Sequence, residues 1–310
     1  MAKKNGASVI CRLITAITAS LCFTTLALPF SQMRLPRRAK PVAEAKVVHV
    51  SLSANLTPQN NAKLALNSLS QNVELNERLL SEYGAVLMAR NGVALPPREM
   101  FSSDDEVAQW QATVETSGGD YVLQTAAADA LNAAREEART QNLDITARDT
   151  DAAARDYTYT VKLWMSRVNP GLDHWVKKGR LASEEAERIR SLSAREQTVA
   201  ILRLEQEGIF FSKDFSKSIL CSVAPPGASQ HLALLAFDVK EHQDQRVREI
   251  LERHGWYQTV QRDAPHFTYL GVTRAELPSL GLMRVTAGRR QYWIPRPHTE
   301  PIQPELVAQR

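Results

Sequence analysis

The sequence is poor in the residues that mark several common classes of protein. Its 310 residues include only three cysteines and 13 glycines, no Gly-X-Y repeat, and one apolar stretch of near-spanning length. These shortages exclude a disulfide scaffold, a collagen-like chain and a polytopic membrane protein. Hydrophobic residues make up 44% of the chain and charged residues 23%, proportions that exclude general disorder. A chain of this length buries one large core or two small ones.

Acidic residues are missing from the first 43 positions, where seven of the 38 Lys and Arg residues lie. The rest of the chain has 31 basic and 34 acidic residues, so the formal charge of +4 divides into a leader of +7 and a remainder of −3. The basic balance therefore belongs to the leader. A remainder of net negative charge gives no reason to expect nucleic acid as a partner.

The leader has the arrangement of residues that is typical of an export signal. Two lysines precede eighteen uncharged residues, LITAITASLCFTTLALPF, and such a run at an extreme N-terminus is typical of a signal peptide or a membrane anchor. We predict that residues 1–30 contact the membrane in this way and that the protein is exported to the cell envelope, either periplasmic or anchored to the outer side of the cytoplasmic membrane. A buried core helix is the alternative. Cys11 and Cys22 fall in this segment, which leaves Cys221 without a partner for an internal disulfide.

Composition and periodicity divide the remainder into a linker, one domain and a tail. Residues 31–61 predict a flexible linker, and 295–310, with four prolines, predict a disordered tail. Residues 62–294 predict a single α+β domain in which N-terminal helices pack on a mostly antiparallel sheet. Helical patterns cover about 62–83, 103–114, 121–138, 149–168, 183–208 and 244–254, and strand patterns cover 85–88, 143–147, 219–223, 233–239, 256–260, 267–270, 282–285 and 292–294.

Two of the seven histidines stand at the heads of predicted strands, each with an acidic residue nearby. His231 follows a Pro-Pro-Gly turn, and Asp238 lies seven residues later in an apolar run, where an unpaired carboxylate is costly. His266 follows Asp263 by three residues. Two imidazoles and one carboxylate make a catalytic zinc set that leaves a tetrahedral position for water, and a further carboxylate can take the proton of that water. The alternative is that both histidines are half-buried residues at strand ends.

The same residues resemble the motifs of a known family. Ser229-x-His231-x6-Asp238, followed by Asp263-x-x-His266, is similar to the Ser-x-His-x2-Gly-x-Ala-x-Asp and Glu-x-x-His motifs of the LAS metallopeptidases. This group includes the zinc D-alanyl-D-alanine carboxypeptidases and the dipeptidases of vancomycin-resistance type. The resemblance implies that His231, Asp238 and His266 bind Zn²⁺. It also implies that Asp263 is the general base, which activates water and then protonates the leaving amine.

The sequence around the motifs resembles an envelope-associated branch of D-alanyl-D-alanine carboxypeptidase-like proteins. The shared stretches are Ser222-Val223-Ala224-Pro225-Pro226-Gly227 and His254-Gly255-Trp256. The resemblance is strongest over 219–271, the motif core, and looser back to about residue 75. It implies that 62–294 is a metallopeptidase domain.

Three further residues gain expected roles from the resemblance. Ser229 matches the family's serine, which would help to hold the substrate. The family's arginine, which polarises the scissile carbonyl, corresponds by position to Arg148, with Arg155 as the reserve. Either arginine could instead form a salt bridge at a helix start. Leu234 departs from the family pattern because it replaces a glycine, and Asp263 departs because it replaces a glutamate and is one methylene shorter.

The expected function is that of a zinc-dependent metallopeptidase that hydrolyses a peptide bond in peptidoglycan stem peptides, most simply a D-alanyl-D-alanine carboxypeptidase. The alternative is a catalytically weak or inactive peptidoglycan-binding protein that retains the fold, and the shorter Asp263 is the feature that favours it. A third hypothesis makes Cys221 a nucleophile with His231 as its base. The apolar run before Cys221 is more typical of a buried structural thiol.

Overall fold

Helices fill most of the first part of the described chain, and strands are confined to its last third. A computed structural model describes residues 75–296, so the predicted leader, the linker and the tail beyond 296 lie outside the described residues. The helices are α1 (75–83), α2 (Asp104–Gln111), α3 (Thr125–Thr140), α4 (Tyr157–Lys177), α5 (Ser183–Arg190), α6 (Ala194–Gln206) and α7 (Gln245–Arg253). The strands are β1 (Ala236–Asp238), β2 (Trp256–Tyr257), β3 (His266–Tyr269), β4 (Leu282–Ala287) and β5 (Arg290–Pro295). The prediction of a mixed helix and sheet fold is confirmed.

Helix boundaries follow local capping chemistry. The Ser103 side chain accepts the Glu106 backbone N–H at the start of α2, and Ser193 forms a reciprocal capping box with Glu196 at the start of α6. Each cap satisfies backbone N–H groups that lack a partner within the helix. The residue after α7 and its cap is Gly255, whose φ of +78° lies in the left-handed region that favours glycine.

The strands form two antiparallel sheets. One has the order β1-β3-β2, and its register places Asp238 opposite His266 and Trp256 opposite Tyr269. The other is the β4-β5 hairpin, which runs from the Leu282–Pro295 pair to its turn. Both sheets are smaller than the predicted pattern of strands suggested, because several apolar runs form short helices instead.

Buried apolar side chains within residues 75–296 form two main clusters. The first cluster packs the three-stranded sheet against α3 and α7. The second brings together α1, α4, α5 and α6. The sequence pattern predicted that the N-terminal helices pack on the sheet, whereas most of them pack on one another. None of the helices within residues 75–296 combines the length and the apolar character that a membrane span requires.

Three predicted strands are wrong. Residues Gly84–Met88 continue from α1 as a 3-10 helix, and Ile219–Cys221 form another, in which Ser218 caps the Leu220 N–H. Apolar runs of four or five residues fit a buried turn as well as a strand, so their periodicity does not separate the two. The run at 143–147 makes only an isolated bridge, from Ala147 to Val239, although it lies along the edge of β1.

Candidate metal centre

The register of the three-stranded sheet brings two of the predicted ligands together. Asp238 closes β1, His266 opens β3, and the two are direct partners across the antiparallel pair. Directly opposed residues project from the same face with Cβ atoms about 4.5–5.5 Å apart. Asp238 Oδ1 accordingly lies 3.2 Å from His266 Nδ1.

The third predicted ligand enters from the turn before β1. His231 lies in the 3-10 helix Gln230–Ala233, and Leu234, at φ +55°, turns the chain from this helix into β1. His231 Nε2 lies 3.4 Å from Asp238 Oδ1, and the two imidazole centroids are 5.0 Å apart. One ligand atom from each of His231, Asp238 and His266 lies within 4.8 Å of the others, and all three residues are buried.

Hydrogen bonds fix which ring nitrogen of each histidine faces the centre. His231 Nδ1 lies 2.7 Å from the carbonyl oxygen of Ala153, so this nitrogen carries the proton. His266 Nε2 lies 2.8 Å from the Gln230 Oε1 atom, so there the proton is on Nε2. The Gln230 amide is oriented because its Nε2 donates to the Tyr83 carbonyl oxygen at 2.8 Å. Both imidazoles therefore turn a bare nitrogen lone pair toward the carboxylate of Asp238.

Three acceptors thus converge on one point with no proton between them. His231 Nε2 is buried and has no hydrogen-bond partner in residues 75–296. Its lone pair, that of His266 Nδ1 and the Oδ1 atom of Asp238 would repel one another unless a cation lies among them. The imidazoles are also oriented by outer partners, as in protein metal sites. The group fits a metal ion.

Burial favours the ligand forms of these side chains. Burial lowers the pKa of His231, which keeps the imidazole neutral, although the nearby Asp238 acts in the opposite direction. Burial alone would raise the pKa of Asp238, but the attraction between its carboxylate and the imidazoles of His231 and His266 in their protonated form holds that pKa well below its usual range. A cation among the three groups would act in the same direction. A neutral imidazole and an ionised carboxylate are the forms that bind metals.

The two predicted arginines occupy different positions. Arg155 Nη2 donates to Asp238 Oδ2 at 2.7 Å, and its Nε lies 3.1 Å from Asp151 Oδ2. The Asp238 carboxylate is therefore shared, with one oxygen facing the histidines and the other bound to Arg155. The Arg148 side chain is 50% exposed and pairs with Asp149 at 3.3 Å, while its backbone N–H donates to the Asp238 carbonyl. The side chain of the reserve arginine, and not that of Arg148, contacts the ligand group.

The three ligands line a cleft of about 670 Å³, a volume typical of sites that hold small molecules. Ser229, Asp263 and both arginines line the same cleft, so it brings together all seven predicted site residues. Ser229 is buried and precedes the helix that carries His231. Asp263 is exposed, and its carboxylate has no hydrogen bond or ion pair with any residue in the described range.

Cys221 also lines the cleft, which corrects the expectation of a buried thiol in a strand. It is partly exposed, and its Sγ accepts a hydrogen bond from Arg262 Nη1 at 2.8 Å. His231 is committed elsewhere, since Nδ1 bonds to Ala153 and Nε2 faces Asp238. The described residues therefore contain no Cys221–His231 pair, and the thiol-nucleophile hypothesis lacks its base.

Two outer partners of the histidines were not predicted. Gln230 also accepts a hydrogen bond from Thr268, so its amide joins β3, α1 and His266. Its position next to His231 was the only signal in the sequence. The Ala153 carbonyl had no signal, because a backbone group becomes a partner only through the fold.

No protein-family model, curated protein or solved structure matches the chain. What stands on the geometry alone is a buried His231-Asp238-His266 group that could hold a metal ion, placed in a large cleft of a mixed helix and sheet fold.

Proposed function

We propose that the protein is a zinc-dependent peptidase that hydrolyses a peptide bond in peptidoglycan stem peptides, in the simplest case as a D-alanyl-D-alanine carboxypeptidase. One observation carries the proposal, namely the convergence of two imidazole lone pairs and one carboxylate oxygen in an accessible cleft. Two nitrogens and one oxygen suit zinc, and three protein ligands are the number found in catalytic sites. The sequence resemblance to LAS metallopeptidases supports the choice of substrate.

Bound zinc would supply a Lewis acid and a water of lowered pKa. The chain's own residues have the remaining tasks. Asp263, which lines the cleft and forms no hydrogen bond or ion pair through its carboxylate within residues 75–296, would accept a proton from the water and return it to the leaving amine. Arg155 would donate to the scissile carbonyl, because it already lies against Asp238 and its Nη1 has no partner among the described residues. Ser229, which lines the same cleft, would hold the substrate.

The predicted leader is consistent with this substrate, since peptidoglycan lies outside the cytoplasmic membrane. Residues 1–30 are outside the described part of the chain, so export and membrane contact remain predictions from the sequence. Within the proposal, the leader takes the peptidase to its substrate and the 670 Å³ cleft receives the stem peptide.

The test is zinc content and peptide hydrolysis of the full-length protein, measured by metal analysis and by mass spectrometry of stem pentapeptides. His231→Ala should lose zinc and hydrolysis together, because it removes one of three ligands. His254→Ala is the matched control, since this imidazole is hydrogen-bonded to Glu137 and does not line the cleft. A folded His231→Ala protein that keeps zinc and full activity would contradict the proposal.

The second candidate is a peptidoglycan-binding protein with little or no turnover. It is favoured by Asp263, whose carboxylate is exposed and is not held in place by any described residue. Asp263→Asn separates the two candidates, because it removes the base and leaves the three ligands. If Asp263→Asn loses hydrolysis and keeps zinc, the result supports the peptidase. If the parent protein binds stem peptides and hydrolyses none of them, the result supports the binding protein.

A further inference from the structure

The arginines that line the cleft fall into two pairs. Arg148 and Arg155 are neutralised by aspartates, as described above. Arg167 and Arg262 line the same cleft, and neither forms an ion pair with a carboxylate anywhere in residues 75–296. Glu82 lies close enough to interact with Arg262 electrostatically, but does not form an ion pair with it. The cleft therefore holds two guanidinium groups that form no ion pair within the described range.

These two guanidinium groups donate hydrogen bonds to two residues that are adjacent in the chain and line the cleft. Arg167 Nε donates to Ser222 Oγ at 2.7 Å, and Arg262 Nη1 donates to Cys221 Sγ at 2.8 Å. Neighbouring Cα atoms are about 3.8 Å apart, so the two anchors hold the guanidinium groups in the same part of the cleft. Within the described chain, Arg167 Nη2 and the Nε and Nη2 atoms of Arg262 remain without a hydrogen-bond partner.

The backbone of Arg262 gives a separate indication that this side chain is used. Its φ is +77°, in the left-handed region where a non-glycine residue is strained. The tight turn that contains it closes through a hydrogen bond from Asp263 N to Val260 O. Glycine or asparagine would suit this turn better, and such strained residues cluster at ligand sites.

We propose that Arg167 and Arg262 form a carboxylate-binding subsite, so that the cleft selects peptides with a free carboxylate away from the scissile amide. The identity of the ligand as a peptide rests on the proposed function. Arginine binds carboxylates through parallel N–H donors, and Arg262 has such a pair free in Nε and Nη2, while Arg167 offers its Nη2. The cleft of about 670 Å³ is lined by both arginines as well as by the three ligands. The carboxylate belongs either to a side branch of the acyl part or to the C-terminus of the leaving part.

The experiment compares three pentapeptides that end in D-Ala-D-Ala. One has a glutamate carboxylate in the acyl part, one has that group as a carboxamide, and one has a C-terminal carboxamide. We expect the full-length parent to hydrolyse the first peptide about 10–100-fold more efficiently than one of the amides, the range expected for a charged hydrogen bond. The amide peptide that is hydrolysed less efficiently identifies which carboxylate the subsite binds.

Variants of the two arginines test the assignment. The double variant Arg167→Gln/Arg262→Gln should lower kcat/KM for the first peptide to the value that the parent shows for the less efficiently hydrolysed amide. Its kcat/KM for that amide should stay within about 2-fold of the parent's value. The corresponding double lysine variant should keep part of the preference, because it retains both charges. Arg188→Gln is the control, since this arginine pairs with Glu185 on α5 and does not line the cleft.

The outcomes separate this inference from the proposed function. A parent that hydrolyses all three peptides equally, or a double glutamine variant that keeps the preference, overturns the subsite and leaves the peptidase intact. If the parent hydrolyses none of them, the peptidase proposal fails. Titration calorimetry with the same peptides and variants then decides on the subsite. The parent should bind the first peptide with a lower Kd than one of the amides, and the double glutamine variant should lose this preference. A double glutamine variant that keeps the preference, or a parent that shows none, overturns the subsite.

Discussion

Gln230 provides the sharpest test of the metal centre, because it touches a ligand without being one. Its Oε1 accepts from His266 Nε2 at 2.8 Å, and its Nε2 donates to the Tyr83 carbonyl. Gln230→Leu removes these two hydrogen bonds, together with the one from Thr268, and frees the His266 ring to turn or to change tautomer. Outer partners of this kind are worth about 10–100-fold in metal affinity, or about 1.4–2.7 kcal/mol. We expect a loss of zinc affinity in this range.

The assay is competition for zinc with a chromogenic chelator, run beside urea unfolding. Gln111→Leu is the matched control, because its Nε2 donates to the Leu232 carbonyl at 3.0 Å and it does not line the cleft. This variant should lose stability and keep zinc affinity. Gln230→Glu should bind zinc more tightly than Gln230→Leu, since it retains an acceptor for His266. A folded Gln230→Leu protein with parental zinc affinity would refute the orientation deduced for His266.

Two predictions concern stability. Leu234→Gly should destabilise the protein by about 2 kcal/mol, within a range of about 0–4 kcal/mol, because the loss of a buried side chain costs about 2–5 kcal/mol and the relief of its left-handed strain returns about 1–2 kcal/mol. A more stable variant in urea unfolding would show that the strain dominates. Burial raises the pKa of Glu205, so the ionised form of this side chain opposes folding. The free energy of unfolding of the parent should therefore fall, relative to that of Glu205→Gln, as pH rises from about 4.5 through the folded pKa. A pH-independent difference between the two unfolding free energies would contradict this assignment.

The sequence predicted the ligand group well because each part of it is local. His231 and Asp238 lie within eight residues, Asp263 and His266 within four, and the apolar runs after both histidines do form β1 and β3. Once these strands pair, the register alone brings Asp238 against His266. The prediction that the three residues come together is confirmed, whereas the identity of the metal stays a prediction.

The remaining parts of the site depend on contacts that no local pattern encodes. Arg148 had the better position in the sequence, but the chain from 148 to 155 runs past β1 before α4 begins, and Arg155 meets Asp238. The predicted helix start at 149 was eight residues early, because Asp156 caps α4 through the Tyr159 N–H. Strand predictions failed at the short apolar runs, where burial and not periodicity decides the conformation.

The outer contacts of the two histidines explain why a short motif alone does not make this site. His231 is oriented by the carbonyl of Ala153, 78 residues away, and the amide that orients His266 is held by the carbonyl of Tyr83, 147 residues from Gln230. Both are backbone groups, so no substitution at either position removes them directly. Their placement depends on α1 and on the segment beside β1, and each belongs to a different apolar cluster. Metal affinity should therefore follow the packing of both clusters, and the centre is a property of the whole described fold.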